Sequence, residues 1–340
     1  VHGFGIVGAG SIAGTHAQAI AQLDGAELKT VTDLRADAAR QFAGQHGCAV
    51  AADLDAMLSR DDIDVVSVCV PSGLHAEIGI RAAAAGKHLV IEKPIDVTLT
   101  AADQLIGAAK AAGVRLTVIA QHRFDPGLIE LKSLIDAGAL GRLLLGEAST
   151  KWYRSQAYYD SAAWRGTDTL DGGSLMNQGI HYVDLLLWAM GPVAEVTALT
   201  ATQTHAMEAE DVALALLKFQ SGALGTLVSS TSVFPGFAQR LEVTGTGGTI
   251  VVTDGEITHR GLTAEPTPAA GPAMEATAAE GASTPAIGAA SHAAQFADFL
   301  AAIDEDREPA VTAADGRAAV EVIQAVYASA RTASAVRLPA

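Results

Sequence analysis

Through the first 120 or so residues the apolar positions switch repeatedly between two spacings. Short runs such as Phe4 to Val7, Leu28 to Thr32, Val65 to Val70, Leu89 to Ile91 and Leu116 to Ile119 are apolar at nearly successive positions. Between them lie Ala-rich stretches of helical length, "THAQAIAQL", "ADAARQFAGQHG", "LHAEIGIRAAAAGK" and "LTAADQLIGAAKAAG". Runs without alternation suit strands covered on both faces, and Gly86 and Gly113 stand where helices should stop. The pattern predicts an α/β domain over residues 1–121, a doubly wound parallel sheet with helices on both sides.

After about residue 122 the spacing changes. "PGLIELKSLIDAG" predicts a helix, Leu143 to Ser149 a strand, and the segment from about Ser174 to Met190 a further helix. The runs "VAEVTALTAT", "DVALALLKF", "ALGTLVSSTSV", "QRLEVTGT" and "GTIVVTDG" resemble antiparallel strands, with turns at Ser221-Gly222 and Gly247-Gly248. A second domain of helices and mostly antiparallel strands is therefore expected over 122–340. Within it 261–290, rich in Ala, Pro, Gly and Thr, reads as a long loop, and 291–333 as two closing helices.

Composition narrows the class. With 340 residues, 49% of them apolar, the chain can fill a substantial core. No run approaches the roughly 18 apolar residues of a membrane span, and "VHGFGIVG" enters strand pattern without a leader, so a soluble, cytoplasmic protein is expected. Cys48 and Cys69 lack metal-ligand spacing and read as buried reduced thiols; no metal site is expected. The formal charge of −16 (22 basic, 38 acidic) opposes nucleic acid as a partner. A phosphorylated ligand remains compatible if backbone N–H groups at a helix start hold it.

"FGIVGAGSIAGTHAQAI" offers such a start. Gly8-x-Gly10-x-x-Ala13 follows the first strand and opens the first helix: Gly8 permits the tight turn, Gly10 lets a pyrophosphate approach, and Ala13 lets the helix pack closely. Asp33 ends the second strand 20 residues after Ala13, placed to accept hydrogen bonds from an adenosine ribose. That favours NAD, while Arg35, able to pair with a 2′-phosphate, keeps NADP open.

A second feature is "HLVIEKPIDVT", where an apolar strand runs straight into Glu92, Lys93 and Pro94. A third is "GGSLMNQGIHYVD", which on an α-helix would put Asn177, His181 and Asp184 on one face. Read with "DVVSVCVPSGLHAEIGIRAAAAGKHLVIEKPIDVT" and "AVYASARTASAVRL", these segments resemble the Gfo/Idh/MocA family of oxidoreductases, which includes glucose-fructose oxidoreductase and inositol dehydrogenase. The resemblance runs in order over nearly the whole chain.

The resemblance implies a Rossmann domain followed by a domain whose open, mostly antiparallel sheet makes a homodimer or homotetramer interface. It implies that Lys93 lies beside the nicotinamide and hydrogen-bonds the reacting hydroxyl, before a cis bond to Pro94. It implies that His181 is the catalytic base in oxidation and acid in reverse. Inositol dehydrogenases place an aspartate four residues before that histidine; here Asn177 can orient but cannot take a proton. Cofactor contacts are expected from Gly8, Gly10, Ser11, Ile12, Ala13, Asp33, Arg35, Pro71, His75, Glu92, Lys93, Pro94 and Gln121. Substrate contacts are expected from Arg123, Trp152, Tyr153, Arg154, Tyr158, Trp164, Arg165, Asn177 and His181, with His122 beside Arg123; capping of the sheet or an interface is the competing reading for the aromatic and arginine residues of 152–165.

The expected activity is NAD(P)-dependent hydride transfer at a hydroxyl-bearing carbon of a sugar, cyclic polyol or sugar derivative. An NAD-dependent glycosidase, a dehydrogenase of nucleotide-linked amino-sugar acids and a non-catalytic dinucleotide sensor are the alternatives.

Overall fold

The computed structural model describes residues 1–263 and 288–339. The chain begins β1 (His2–Val7), α1 (Ser11–Ile20), β2 (Ala26–Thr32), α2 (Ala36–His46), β3 (Ala49–Val50), α3 (Leu54–Leu58), β4 (Val65–Val68), α4 (His75–Ala84), β5 (His88–Ile91), α5 (Leu99–Ala112) and β6 (Leu116–Val118). It continues with α6 (Pro126–Asp136), β7 (Leu143–Lys151), α7 (Gln156–Asp160), a π-helical stretch over Ser174–Gly179, and α8 (Ile180–Met190). Then follow β8 (Val193–Ala201), β9 (Val212–Phe219), β10 (Leu224–Ser230), β11 (Arg240–Gly245), β12 (Gly248–Thr253) and β13 (Glu256–Leu262). The last described elements are α9 (Ala289–Asp304), α10 (Ala313–Thr332) and β14 (Val336–Arg337).

Two compact units form. The first runs from Val1 to Gln121 and includes α9 and the chain as far as Arg317. Its six strands lie in the order β3-β2-β1-β4-β5-β6, all parallel. The order reverses beside β1, the point where doubly wound sheets leave a crevice at the strand ends. Register aligns Val7 with Val68, Val68 with Ile91, and Ile91 with Val118. Gly8, Cys69, Glu92 and Ile119 therefore leave the sheet side by side at its carboxyl edge. Helix ends follow the local rules: α2 and α5 stop at Gly47 and Gly113 in the left-handed conformation, and Thr98 caps α5 by accepting from the Ala101 N–H.

The buried face of α1, Ala13, Ala17 and Ile20, packs with Phe4, Ile6 and Val31 of the sheet and with Phe296, Phe299 and Leu300 of α9. The Phe4 and Phe296 rings stack at 5.9 Å between centroids. The linear division at residue 122 thus differs from the compact units, because α9 closes the core of the first. Periodicity marks the apolar stripe of a helix but not the surface that will cover it.

The second unit, from His122 to the end of β13 and from Ala318 on, is built on eight strands in the order β13-β12-β11-β7-β10-β9-β8-β14. Every pair is antiparallel except β7 with β10. Helix α8 lies on β7 so closely that a Cβ at Gly146 would sit 2.7 Å from the Met190 side chain and 2.9 Å from Leu186. Strands β3, β13 and β14 and helix α3 were not legible in the periodicity. Of the expected loop 261–290, Gly261 and Leu262 instead end β13 and Ala289 and Ala290 begin α9; residues 264–287 lie outside the described residues. No described helix is long and apolar enough to cross a membrane.

Phe296 is completely buried. Phe296→Ala should lower the unfolding free energy by about 3–5 kcal/mol, measured by urea denaturation. A loss under about 1 kcal/mol would detach α9 from this core.

Candidate functional site

The glycine turn joins β1 to α1. Gly8 has φ +97°, and a Cβ there would meet the Cys69 carbonyl oxygen at 2.3 Å, so no other residue fits without displacement. A Cβ at Gly10 would meet nothing within 4 Å. Gly10 is the N-cap of α1, with no side-chain capping bond and no acidic residue in the first turn. The helix start thus offers amide donors and positive potential to an anion. Ala13 is fully buried against the sheet and Ile12 half-buried beside it. Asp33 accepts from the Ala9 N–H at 2.8 Å and the Arg35 N–H at 2.7 Å, which fixes its carboxylate at the end of β2. The Arg35 side chain is 74% exposed, its Nε 3.5 Å from Asp33. A cavity of about 350 Å³ opens here, lined by Gly10, Ser11, Gly14, Arg35, Phe42 and His46 among others. An open cradle over uncapped amides fits a dinucleotide pyrophosphate, and the buried Gln121 Oε1, without a hydrogen-bond partner among the described residues, fits a ligand donor.

Beyond β5 the chain turns through Glu92, half-buried Lys93 and Pro94, and the Lys93–Pro94 bond is cis. Glu92 is 4% exposed; one oxygen accepts from His16 Nε2 at 2.8 Å, the other from the Lys93 N–H at 3.0 Å. Its carboxylate is therefore spent on protein groups. Burial would raise its pKa, but the hydrogen bond and charge of His16, then the charge of Lys93, outweigh this and hold it at about 2. Burial would likewise lower His16; the charge and hydrogen bond of Cys69, then those of Glu92, push it up to about 10. His75 is also fully buried, its ring nitrogens 2.6 Å from the Pro94 carbonyl and 2.9 Å from that of Val70. Burial pushes its pKa down. It braces the loop from below. Pro71 is half-buried, its carbonyl accepting from the Leu74 N–H.

In the second unit the histidine of interest follows the π-helical stretch, so Asn177 and His181 do not share the uniform α register the sequence suggested. Such wide turns recur at functional sites. The His181 ring is half-buried and lies edge-on to His122 at 5.1 Å, and His122 Nδ1 bonds Asp125 at 2.6 Å. Asn177 gives its amide N–H to the buried Asp171, and its oxygen accepts from Gln178 Nε2 at 2.6 Å. Gln178 in turn accepts from Arg154 at 3.0 Å. Tyr158 is flanked by two guanidinium groups, Arg154 at 4.9 Å and Arg165 at 4.2 Å from its ring centre, with Trp152 beside Arg154 and Trp164 beside Arg165. Five expected substrate residues therefore form one cationic, aromatic surface. Tyr153 is outside it, edge-on to the exposed Phe234. Arg123 lies elsewhere too: its guanidinium makes a paired bond to Asp184 at 2.8 and 2.6 Å and sits 5.5 Å from the centre of the Trp188 ring.

His16, Asp171 and Glu210 were not anticipated. For His16 a signal existed: it falls between Ala13 and Ala17 on the buried stripe of α1, where an imidazole needs partners. Asp171 bonds within its own loop, to the Gly166 N–H and the Asn177 amide, whereas Glu210 acts through a contact distant in sequence. Glu210 accepts from the Leu175 N–H at 2.7 Å at the head of the π-helical stretch.

Comparison with known proteins follows the same lines. Residues 2–120 match the family profile described as "Oxidoreductase family, NAD-binding Rossmann fold", and 128–251 that of the "GFO/IDH/MocA C-terminal domain". The WlbA dehydrogenase of Bordetella pertussis, solved with NADH and UDP-GlcNAcA, superposes with a TM-score of 0.88 at 32% identity, over 99% of this chain and 98% of that one. The uncharacterized oxidoreductase YrbE of Bacillus subtilis is 30% identical over 250 residues, 72% of this chain and 71% of its own. The inositol 2-dehydrogenase of Rhizobium meliloti is 27% identical over 340 residues, 96% of each.

Burial pushes Glu210 up to about 7 from its ordinary 4.5, against the Leu175 N–H that favours the charged form. A carboxyl with a raised folded pKa favours folding while protonated, so its contribution is complete below 4.5 and is lost as pH rises through about 7. Melting temperature should fall over that window, and Glu210→Gln should flatten the fall. An unchanged profile in the variant would remove Glu210 as its source.

Proposed function

The chain belongs to the GFO/IDH/MocA family of oxidoreductases, and from that membership we propose that it transfers a hydride between NAD(P) and a hydroxyl-bearing carbon of a sugar, cyclic polyol or sugar derivative. The observation that carries the reading is the braced Lys93 loop at the same sheet edge as the glycine turn. When bound, the nicotinamide supplies the hydride acceptor or donor.

The residues of the chain manage charge and proton. The Lys93 ammonium donates to the substrate hydroxyl oxygen and lowers the cost of alkoxide character there. His181 accepts the hydroxyl proton in oxidation and returns it in reduction, a task suited to an imidazole near neutral pH. Asn177, oriented by Asp171 and Gln178, positions substrate and takes no proton. The fixed Asp33 carboxylate favours NAD, since a 2′-phosphate there would meet a negative charge.

A nucleotide-linked sugar acid is favoured within this class by Arg154 and Arg165 around Tyr158, which suit a carboxylate or diphosphate. The likeness to the WlbA dehydrogenase supports the same choice. A cytoplasmic location is in keeping with two cysteines that form no disulfide. For assembly, Leu199, Leu214, Leu216 and Leu224 are 69%, 46%, 63% and 57% exposed on one face of the second sheet, an apolar area suited to a second copy of the chain.

A panel of sugars, polyols and nucleotide-linked sugar acids, followed at the nicotinamide absorbance with NAD and NADP, should give turnover with at least one substrate and faster with NAD. Lys93→Ala should lower kcat/KM by about 100-fold or more while NADH still binds; near-normal turnover would exclude the role. The double variant Leu214→Glu, Leu216→Glu should reduce the mass found by light scattering to one chain. An unchanged mass would move the interface elsewhere.

A further inference from the structure

The buried imidazole of His16 has no place in the chemistry just described, yet its contacts lead to the lysine. His16 stands one and a half turns into α1, the helix that begins at the glycine turn, and is 0% exposed. Its Nδ1 lies 2.7 Å from Ser67 Oγ on β4 and 3.4 Å from Cys69 Sγ. Its Nε2 lies 2.8 Å from Glu92, and the other Glu92 oxygen takes the Lys93 N–H at 3.0 Å. Phe296 meets the His16 ring edge-on at 5.2 Å, and His292 is tilted against it at 5.5 Å, so α9 closes the site from outside.

We propose that His16 is a positioning residue for the reaction, holding the backbone of Lys93 in place through the Glu92 carboxylate. The proposal rests on the reading of Lys93 given above. A lysine side chain is long and rotates freely, so the point from which it starts decides where its ammonium can reach. Here that point is set from α1, the element that also presents the glycine turn. One buried hydrogen bond thus ties the position of the lysine to the position of the cradle. A neutral replacement without a donor would leave Glu92 buried beside an apolar group, and the carboxylate would swing toward other donors and release the Lys93 N–H. Glutamine can still donate to Glu92 from its terminal amide, so it should preserve the link.

The test compares His16→Leu, His16→Gln and Lys93→Ala in the full chain. In His16→Leu the Lys93 amide proton should exchange with solvent about 30-fold faster or more in the ligand-free protein. NADH affinity, by fluorescence titration, should change by less than about threefold, and kcat on the best substrate of the panel should fall about tenfold or more with KM nearly unchanged. His16→Gln should recover both amide protection and kcat. Should His16→Leu not fold, Glu92→Met, which removes both acceptor oxygens, should show the same loss of protection and kcat.

Protection and kcat at the wild-type level in His16→Leu would overturn the proposal, as would a His16→Gln variant no better than His16→Leu. One equivalent of bound zinc in the purified protein, lost on His16→Leu, would overturn it too, since His16, Glu92 and His292 bring one ligand atom each within 4.8 Å of one another. Full activity in Lys93→Ala would instead sink the reading of the lysine while leaving the amide-exchange result intact.

Discussion

Where β5 ends, Glu92 gives up its water, and the His16 imidazole and the Lys93 N–H take its place. A carboxylate is expensive to bury, so these partners must be present and correctly placed. Much of the first unit follows. Helix α1 must lie close enough to the sheet for His16 to reach β4 and β5, which its small buried residues Ala13 and Ala17 allow. The ring must be covered, and Phe296 and His292 of α9 cover it. The path of residues 92–98 is then held at three points, by Glu92, by the Pro94 carbonyl at His75, and by Asp96, which accepts from the N–H groups of Ala76 and Thr98.

Paired charges organise the second unit in the same manner. Glu210 and Asp211 are adjacent and both buried, yet their pKa values move apart. Burial raises both, but the N–H groups of Thr204 and Gln203, then the side chains of Ser232 and His205, hold Asp211 at about 2, while at Glu210 burial outweighs the Leu175 N–H and the value rises to about 7. Asp211 thereby ties the segment before β9, and Glu210 the head of the π-helical stretch that leads to His181. The Arg123–Asp184 pair anchors α8 from its buried side.

Local sequence alone was enough for the glycine turn, for most of the parallel sheet and its helices, and for the central strands of the second, mostly antiparallel sheet, because each is specified by residues near one another. Side chains alternate or recur at helical spacing, and Gly8 must occupy a conformation other residues avoid. Lys93 and His181 were singled out as candidates by motif. Tertiary structure decided the rest: that α9 completes the first core, that Arg123 meets Asp184, that Tyr153 turns to Phe234 while Tyr158 lies between two arginines, and that His16 reaches Glu92 across 76 positions of chain. A buried polar group demands a partner, and that demand can be read from one residue and its neighbours. Which partner answers it depends on which elements the fold brings within hydrogen-bond reach, and no local pattern carries that information.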